Sequence, residues 1–199
     1  MNLTVENLMG IRGQRVLFRG LSFRVSAGTV LSLEGPNGVG KTSLLRMIAG
    51  FLAPATGTIA LDDVSDAEER GKRIGWLGHQ DAAKPQLTPH EVLTFFARLY
   101  GADADVEAAL ARVGLAKIAA LPCQYLSAGQ KKRLALARLV LLARPLWLLD
   151  EPLSSLDADG RARAVELITA HVAQGGIAVA ATHELLGVAG ERLTLSALA

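Results

Sequence analysis

The chain has 199 residues, half of them apolar, 5% aromatic and 20% charged, with 21 Lys and Arg against 19 Asp and Glu. This composition excludes disorder and low-complexity sequence, and a chain of this length buries its own core as one compact domain over residues 1–199. A net charge of +2 with no basic cluster supplies no electrostatic footprint for nucleic acid.

In chain order, residues 1–6 lack the basic head and apolar run of a secretory signal, which points to a cytoplasmic chain. Apolar and alternating runs at residues 3–8, 16–25 and 30–33 predict strands, with turns at Gly20 and at Ala27 and Gly28. A glycine-rich loop follows, then a helix over residues 41–49 with Leu44, Leu45 and Ile48 on one face and Gly50 closing it. Short strands are expected at 57–61 and 73–77, separated by a charged stretch from Asp66 to Arg73 that reads as solvated surface.

Thr88, Pro89 and Glu91 spell a helix start: a capping hydroxyl, a proline at the first position and a carboxylate reaching back. That helix is expected to run to about Tyr100, followed by helices at 106–113 and 128–142, so residues 81–140 form a mainly helical lobe inserted in the domain. Phe95 and Phe96 in this lobe read either as its own core or as a contact surface. Cys123 reads as a small buried side chain rather than a reactive thiol. As the lone cysteine it leaves no internal disulfide and no cysteine-based zinc cluster. Buried strands at 146–149 and 177–181 flank a helix at 158–173, and residues 184–195 are expected to close with a short helix and strand. The most apolar stretch, residues 134–149, is broken by Arg138 and Arg144 and falls short of the roughly 20 residues of a membrane span.

Gly35, Pro36, Asn37, Gly38, Val39, Gly40, Lys41 and Thr42, followed by Ser43, match a phosphate-binding loop placed between strand and helix. Glycines there turn successive amide N–H groups toward a phosphate at the positive end of a helix. Lys41 adds a point charge for the β and γ phosphates, and the Thr42 hydroxyl is a Mg²⁺ ligand. Downstream, the apolar strand from Leu146 ends in Asp150 and Glu151, at the rim where open α/β sheets bind ligands. Asp150 is expected to hold Mg²⁺ and Glu151 to act as general base on the attacking water.

Leu126, Ser127, Ala128, Gly129 and Gln130, followed by Lys131, Lys132 and Arg133, resemble the signature motif of ABC-type ATPases. With the phosphate loop, Gln80, Asp150 and Glu151, the Ser154 to Asp157 segment and His183, the order of motifs is that family's order over nearly the whole chain. The resemblance implies an α/β P-loop NTPase core, a mixed sheet with a β-rich N-terminal layer and the inserted helical lobe. It implies that Gln80 senses Mg²⁺ and the γ-phosphate, and that His183 contacts the γ-phosphate as a switch. It also implies a homodimer sandwiching two ATP molecules, in which Ser127, Gly129, Gln130 and Asp157 face the nucleotide held by the other chain's Lys41.

This sequence departs from the family at two places. Ala128 stands where the signature has glycine, a change expected to be tolerated. At Ile11, Arg12 and Gly13, where the family stacks an aromatic ring on adenine, there is none; Arg12 reads either as a stacking guanidinium or as a solvated hairpin residue.

Further details are similar to the haem-exporter ATPases of cytochrome c biogenesis: Gly78 to Asp81 followed by Lys84 and Pro85, and the block from Leu146 to Pro152. That likeness implies a peripheral subunit on the cytoplasmic face of the inner membrane, working with an integral membrane permease and haem-handling proteins. An ATPase of another lipid, lipoprotein or small-molecule exporter, or a soluble non-transport ABC ATPase, are the alternative readings.

Overall fold

The computed structural model describes residues 1–78 and 83–196, and its strands divide into two sheets that meet across one core. Strands β1 (Asn2–Arg12), β2 (Arg15–Ser26) and β4 (Thr56–Leu61) form an antiparallel sheet in the order β2-β1-β4. Strands β5 (Ile74–Leu77), β6 (Leu146–Asp150), β7 (Ile177–Ala181), β3 (Val30–Glu34) and β8 (Glu191–Thr194) form a parallel sheet in that spatial order.

The sequences of β6 and β7 show why the parallel sheet is central. Both strands are buried at every position, as expected where elements cover both faces of a parallel sheet. Successive side chains then divide between two cores. Leu146 and Leu148 join Ile177 and Val179 under α1 (Lys41–Ile48) and the antiparallel sheet. Trp147 and Leu149 join Ala178 and Ala180 on the opposite face, against α5 (Ala128–Leu142) and α6 (Ala158–Ala173). Truncating Leu148 to alanine would cost about 2–5 kcal/mol by cavity formation.

Between β5 and β6 the described residues form only helices: α3 (Pro89–Leu99), α4 (Val106–Arg112), two 3₁₀ turns and α5. The start of α3 is the predicted capping box, with Thr88 accepting from the Glu91 N–H and the Glu91 carboxylate accepting from the Thr88 N–H. Cys123 is buried, and burial pushes its thiol pKa up.

Three local expectations change, and one open reading divides. Gly20 is not a turn: β1 and β2 run past it, the turn lies at Gly13 and Gln14, and Gly20 sits where the register slips between Leu8–Leu21 and Gly10–Phe18. The Asp66 to Arg73 stretch is not wholly solvated, because it holds the short helix α2 (Ala67–Gly71) and Arg70 is only 4% exposed. Its guanidinium donates to the carbonyls of Ile48, Ile59 and Ser65, which lets it stay buried and pins the end of α1 to β4. The predicted short helix after residue 184 is absent. There the Thr182 hydroxyl takes up both the N–H and the carbonyl of Glu184, and the chain reaches β8 as bends. Finally, Phe95 is 54% exposed, whereas Phe96 packs against the helical core.

Candidate active site

The phosphate loop leaves β3 at Glu34 and enters α1 at Lys41. Gly40, the residue that caps α1, sits at φ 117 with its Cα facing Leu17 and Phe18; a side chain there would meet Leu17 at 3.1 Å. This backbone choice leaves the first N–H groups of α1 without a side-chain cap, and no acid lies in its first turn to offset the positive helix end. The Lys41 ammonium is buried over the same loop, donating to the Gly35 carbonyl at 2.6 Å and the Pro36 carbonyl at 3.2 Å.

β6 delivers its acids to this loop. The Thr42 hydroxyl lies 3.0 and 3.1 Å from the two carboxylate oxygens of Asp150. Two hard oxygen ligands on adjacent corners of a Mg²⁺ octahedron, each about 2.1 Å from the ion, stand about 3 Å apart, so this pair fits that ion. Among the described residues no cluster of three or more His, Cys, Asp or Glu forms a metal cage.

Glu151, one residue on, adopts a left-handed backbone at φ 51, a conformation that costs a non-glycine residue of the order of 1–2 kcal/mol. Surrounding bonds hold it there: its N–H donates to the Ala181 carbonyl at 2.8 Å, and its carbonyl accepts from the Ser154 hydroxyl and N–H. The turn swings the Glu151 carboxylate to His183, with Nδ1 and Oε2 3.0 Å apart. His183 is 62% exposed and Glu151 21%, so the imidazole stands at the rim and the carboxylate beneath it. Behind His183, Glu184 is gripped by the Arg161 guanidinium, which also donates to the Leu156 carbonyl. That hydrogen bond holds the Glu184 carboxyl below its ordinary pKa.

A cavity of about 570 Å³ opens over these groups, lined by Asn37, Gly38, Gly40, Lys41, Thr42, Ser43, Asp150 and Glu151, together with Arg12, Arg15, Leu17 and Arg46. Ser127, Gly129, Gln130 and Asp157 do not line it. Ser127 instead caps α5: its hydroxyl accepts from the Gln130 N–H and its N–H donates to the Gln130 side chain. Gly129 presses on the segment before α6, where a Cβ would stand 2.6 Å from the Ser155 carbonyl. Asp157 caps α6 by accepting from the Gly160 N–H at 2.8 Å. Gln80 lies outside the described residues.

Two sets of polar residues at this site escape sequence reading. Arg15 and Arg46 join the cavity because hairpin pairing sets Arg15 opposite Arg12 and α1 carries Arg46. Arg161 and Glu184 stand behind His183, and their only sequence signal is the adjacency of Glu184 to that histidine.

The model of the ABC transporter family matches residues 18–154, from the β2 strand through the phosphate loop, Ser127 to Gln130 and the acid pair. The chain belongs to the ABC transporter family. As an ATPase subunit of that family, it hydrolyses ATP. Across its full length it is 50% identical to the cytochrome c biogenesis ATP-binding export protein CcmA of Rhodopseudomonas palustris strain BisB18, and 46% identical to that of strain BisB5, with all of each chain covered. An ABC transporter ATP-binding protein from Pyrococcus furiosus superimposes with a TM-score of 0.86 at 25% identity, covering 98% of both chains. The mixed fold, with its parallel sheet and phosphate loop, is thus that of an ABC ATPase core. No helix among the described residues is long and apolar enough to cross a membrane.

Proposed function

We propose that this chain is the ATP-hydrolysing subunit of a membrane complex that drives haem export, or release of a haem-loaded chaperone, in cytochrome c biogenesis. The hydrolytic part rests on one juxtaposition, the row Thr42, Asp150, Glu151 and His183 at the mouth of the phosphate loop. The task is supported by the full-length likeness to proteins named for it.

In this reading the N–H groups of Gly38 to Thr42 and the Lys41 ammonium bind the β and γ phosphates. Thr42 and Asp150, with Gln80, would hold Mg²⁺, which when bound neutralises charge on the phosphate oxygens. Glu151 accepts the proton of the attacking water. His183 steadies that carboxylate through its 3.0 Å contact and reaches toward the γ-phosphate. Ser127, Gly129, Gln130 and Asp157 serve the nucleotide bound on a second copy of the chain, so the active species is a homodimer. Its place is the cytoplasmic face of the inner membrane, bound to a permease. The helices of residues 81–140 act as the lobe that passes motion to that permease, and the exposed Phe95 ring supports a contact role for α3.

The test is to express tagged Glu151→Gln in the native cell, solubilise membranes in ATP and identify what copurifies. Recovery of a permease with haem-handling proteins, and with haem-loaded chaperone trapped, is expected. A different permease would move the chain to another export system, and recovery only in the soluble fraction would refute the membrane role. Phe95→Glu should leave the subunit folded and detach it from the membrane; unfolding would return Phe95 to a packing role.

A further inference from the structure

His183 stands outside every regular element. It follows β7 on a stretch of bends, with its ring largely exposed. The terminal torsion of a histidine side chain is broad, so one contact with Glu151 leaves the ring free to tip about it. A second carboxylate closes that freedom: Glu184 Oε1 stands 3.7 Å from Nε2, while Glu151 Oε2 stands 3.0 Å from Nδ1. At 3.7 Å the Glu184 contact is electrostatic rather than a hydrogen bond.

Glu184 is itself fixed from two sides. Its backbone N–H donates to the Thr182 hydroxyl at 3.0 Å, and its carbonyl accepts from that hydroxyl at 3.1 Å. The two arms of the Arg161 guanidinium grip its carboxylate, Nη1 on Oε2 and Nη2 on Oε1, and Nε of the same fork donates to the Leu156 carbonyl at 3.2 Å. Arg161 lies near the start of α6, with its backbone N–H on the Asp157 carbonyl. One side chain therefore sets where Glu184 stands against the segment from Leu156 to Asp157.

Stability is not what this pair supplies. Arg161 is 41% and Glu184 35% exposed, and ion pairs so open to water contribute little. What it controls is charge beside the imidazole. With Nδ1 on Glu151, Nε2 is the nitrogen left to face the γ-phosphate. A carboxylate without a counter-charge next to Nε2 would capture the ring and repel the phosphate. Arg161 cancels that charge and holds it beyond hydrogen-bonding distance.

We propose that Arg161 and Glu184 are positioning residues for ATP hydrolysis: Glu184 sets the tilt of the His183 ring, and Arg161 keeps the Glu184 charge off Nε2 while tying it to the Leu156 carbonyl. The proposal rests on the reading of Glu151 and His183 as the hydrolytic pair. It makes the two partners unequal. Loss of Glu184 frees the ring, whereas loss of Arg161 frees the ring and also releases a carboxylate beside it.

The experiment measures kcat and KM for ATP with Mg²⁺, and the melting temperature, of the full chain carrying Arg161→Ala, Arg161→Lys, Glu184→Ala or His183→Ala, and of their double variants. Arg161→Ala should lower kcat about 10- to 100-fold, the cost of a group misplaced by the order of 1 Å. KM should stay close to wild type, because the phosphate loop is untouched. Glu184→Ala should cost less, and adding it to Arg161→Ala should restore kcat to the Glu184→Ala level. In the His183→Ala background neither substitution should cost anything further. Arg161→Lys keeps the charge but not the fork and should recover only part of the loss. Melting temperatures of the Arg161 and Glu184 variants should stay within about 4 °C of wild type. Unchanged kcat in Arg161→Ala, no rescue by Glu184→Ala, an effect that persists without His183, or a loss of kcat that follows melting temperature would overturn the proposal. Wild-type turnover in His183→Ala would instead overturn the hydrolytic reading of His183, and the positioning role with it.

Discussion

The two motif-bearing regions of this molecule close their polar groups in opposite ways. Around the phosphate loop, Lys41 and Thr42 at the start of α1 and Asp150 and Glu151 at the end of β6 line a single cavity, with His183, just past β7, against Glu151. At the start of α5, Ser127 and Gln130 satisfy one another as a helix cap and do not line that cavity. The first region is a site that one chain assembles; the second is a closed cap which, under the proposed function, serves the nucleotide of another chain. The same residues can be indispensable to turnover and irrelevant to the folding of their own cleft.

Mutations sharpen that contrast. The largest effect is expected at Glu151. Glu151→Gln should slow ATP turnover by about 100- to 10,000-fold while nucleotide binding persists, as measured by steady-state hydrolysis beside equilibrium binding. Retained turnover would remove Glu151 from the base role. Lys41→Ala should also abolish hydrolysis, but through loss of nucleotide affinity. Ser127→Ala should break turnover without touching the binding of ATP by the isolated chain, and should cost about 1 kcal/mol of stability through the lost cap. Equal loss of binding in that variant would erase the division between the two regions. Gly129→Ala drives a methyl toward the Ser155 carbonyl and should cost about 1–3 kcal/mol in denaturant melts, a penalty of overpacking that exists without any partner.

The smallest expected effect lies away from both regions. His171 stacks on Trp147 at 4.0 Å, and burial holds its pKa below the ordinary histidine value. Its folded form therefore takes up a proton less readily than its unfolded form. The stability it contributes is complete above about pH 6.5 and is lost as pH falls from there toward the folded pKa. Melting temperature should drop on acidification through that window, and His171→Phe should flatten the drop.

How much of this was legible in the sequence follows from how local each signal is. The phosphate loop, the acids ending β6 and the capping box at Thr88 are short patterns whose geometry depends on adjacent residues, and each forms where expected, whereas the capping box at Ser127 is read only as part of a motif. Gly20 misled because a glycine serves a register slip as well as a turn, and only strand pairing tells them apart. Arg70 misled because a buried guanidinium is tolerable only when distant carbonyls converge on it, and Ile48 and Ile59 come from other elements. Phe95 stayed open between core and surface because an apolar residue on an amphipathic helix can sit at the edge of the buried face. The pairing of Arg12 with Arg15 was open to a hairpin argument, but their shared view of the cleft depended on Leu17 meeting Gly40.

The contact between Gly129 and the Ser155 carbonyl has a mechanical consequence. It welds the tip of α5 to the segment that leads into α6, and Arg161 extends the weld to Glu184 beside the histidine. The start of α5 and the segment before α6 therefore form one packed surface. In the proposed homodimer a second chain would meet a face already in shape, so little chain entropy would be surrendered on docking.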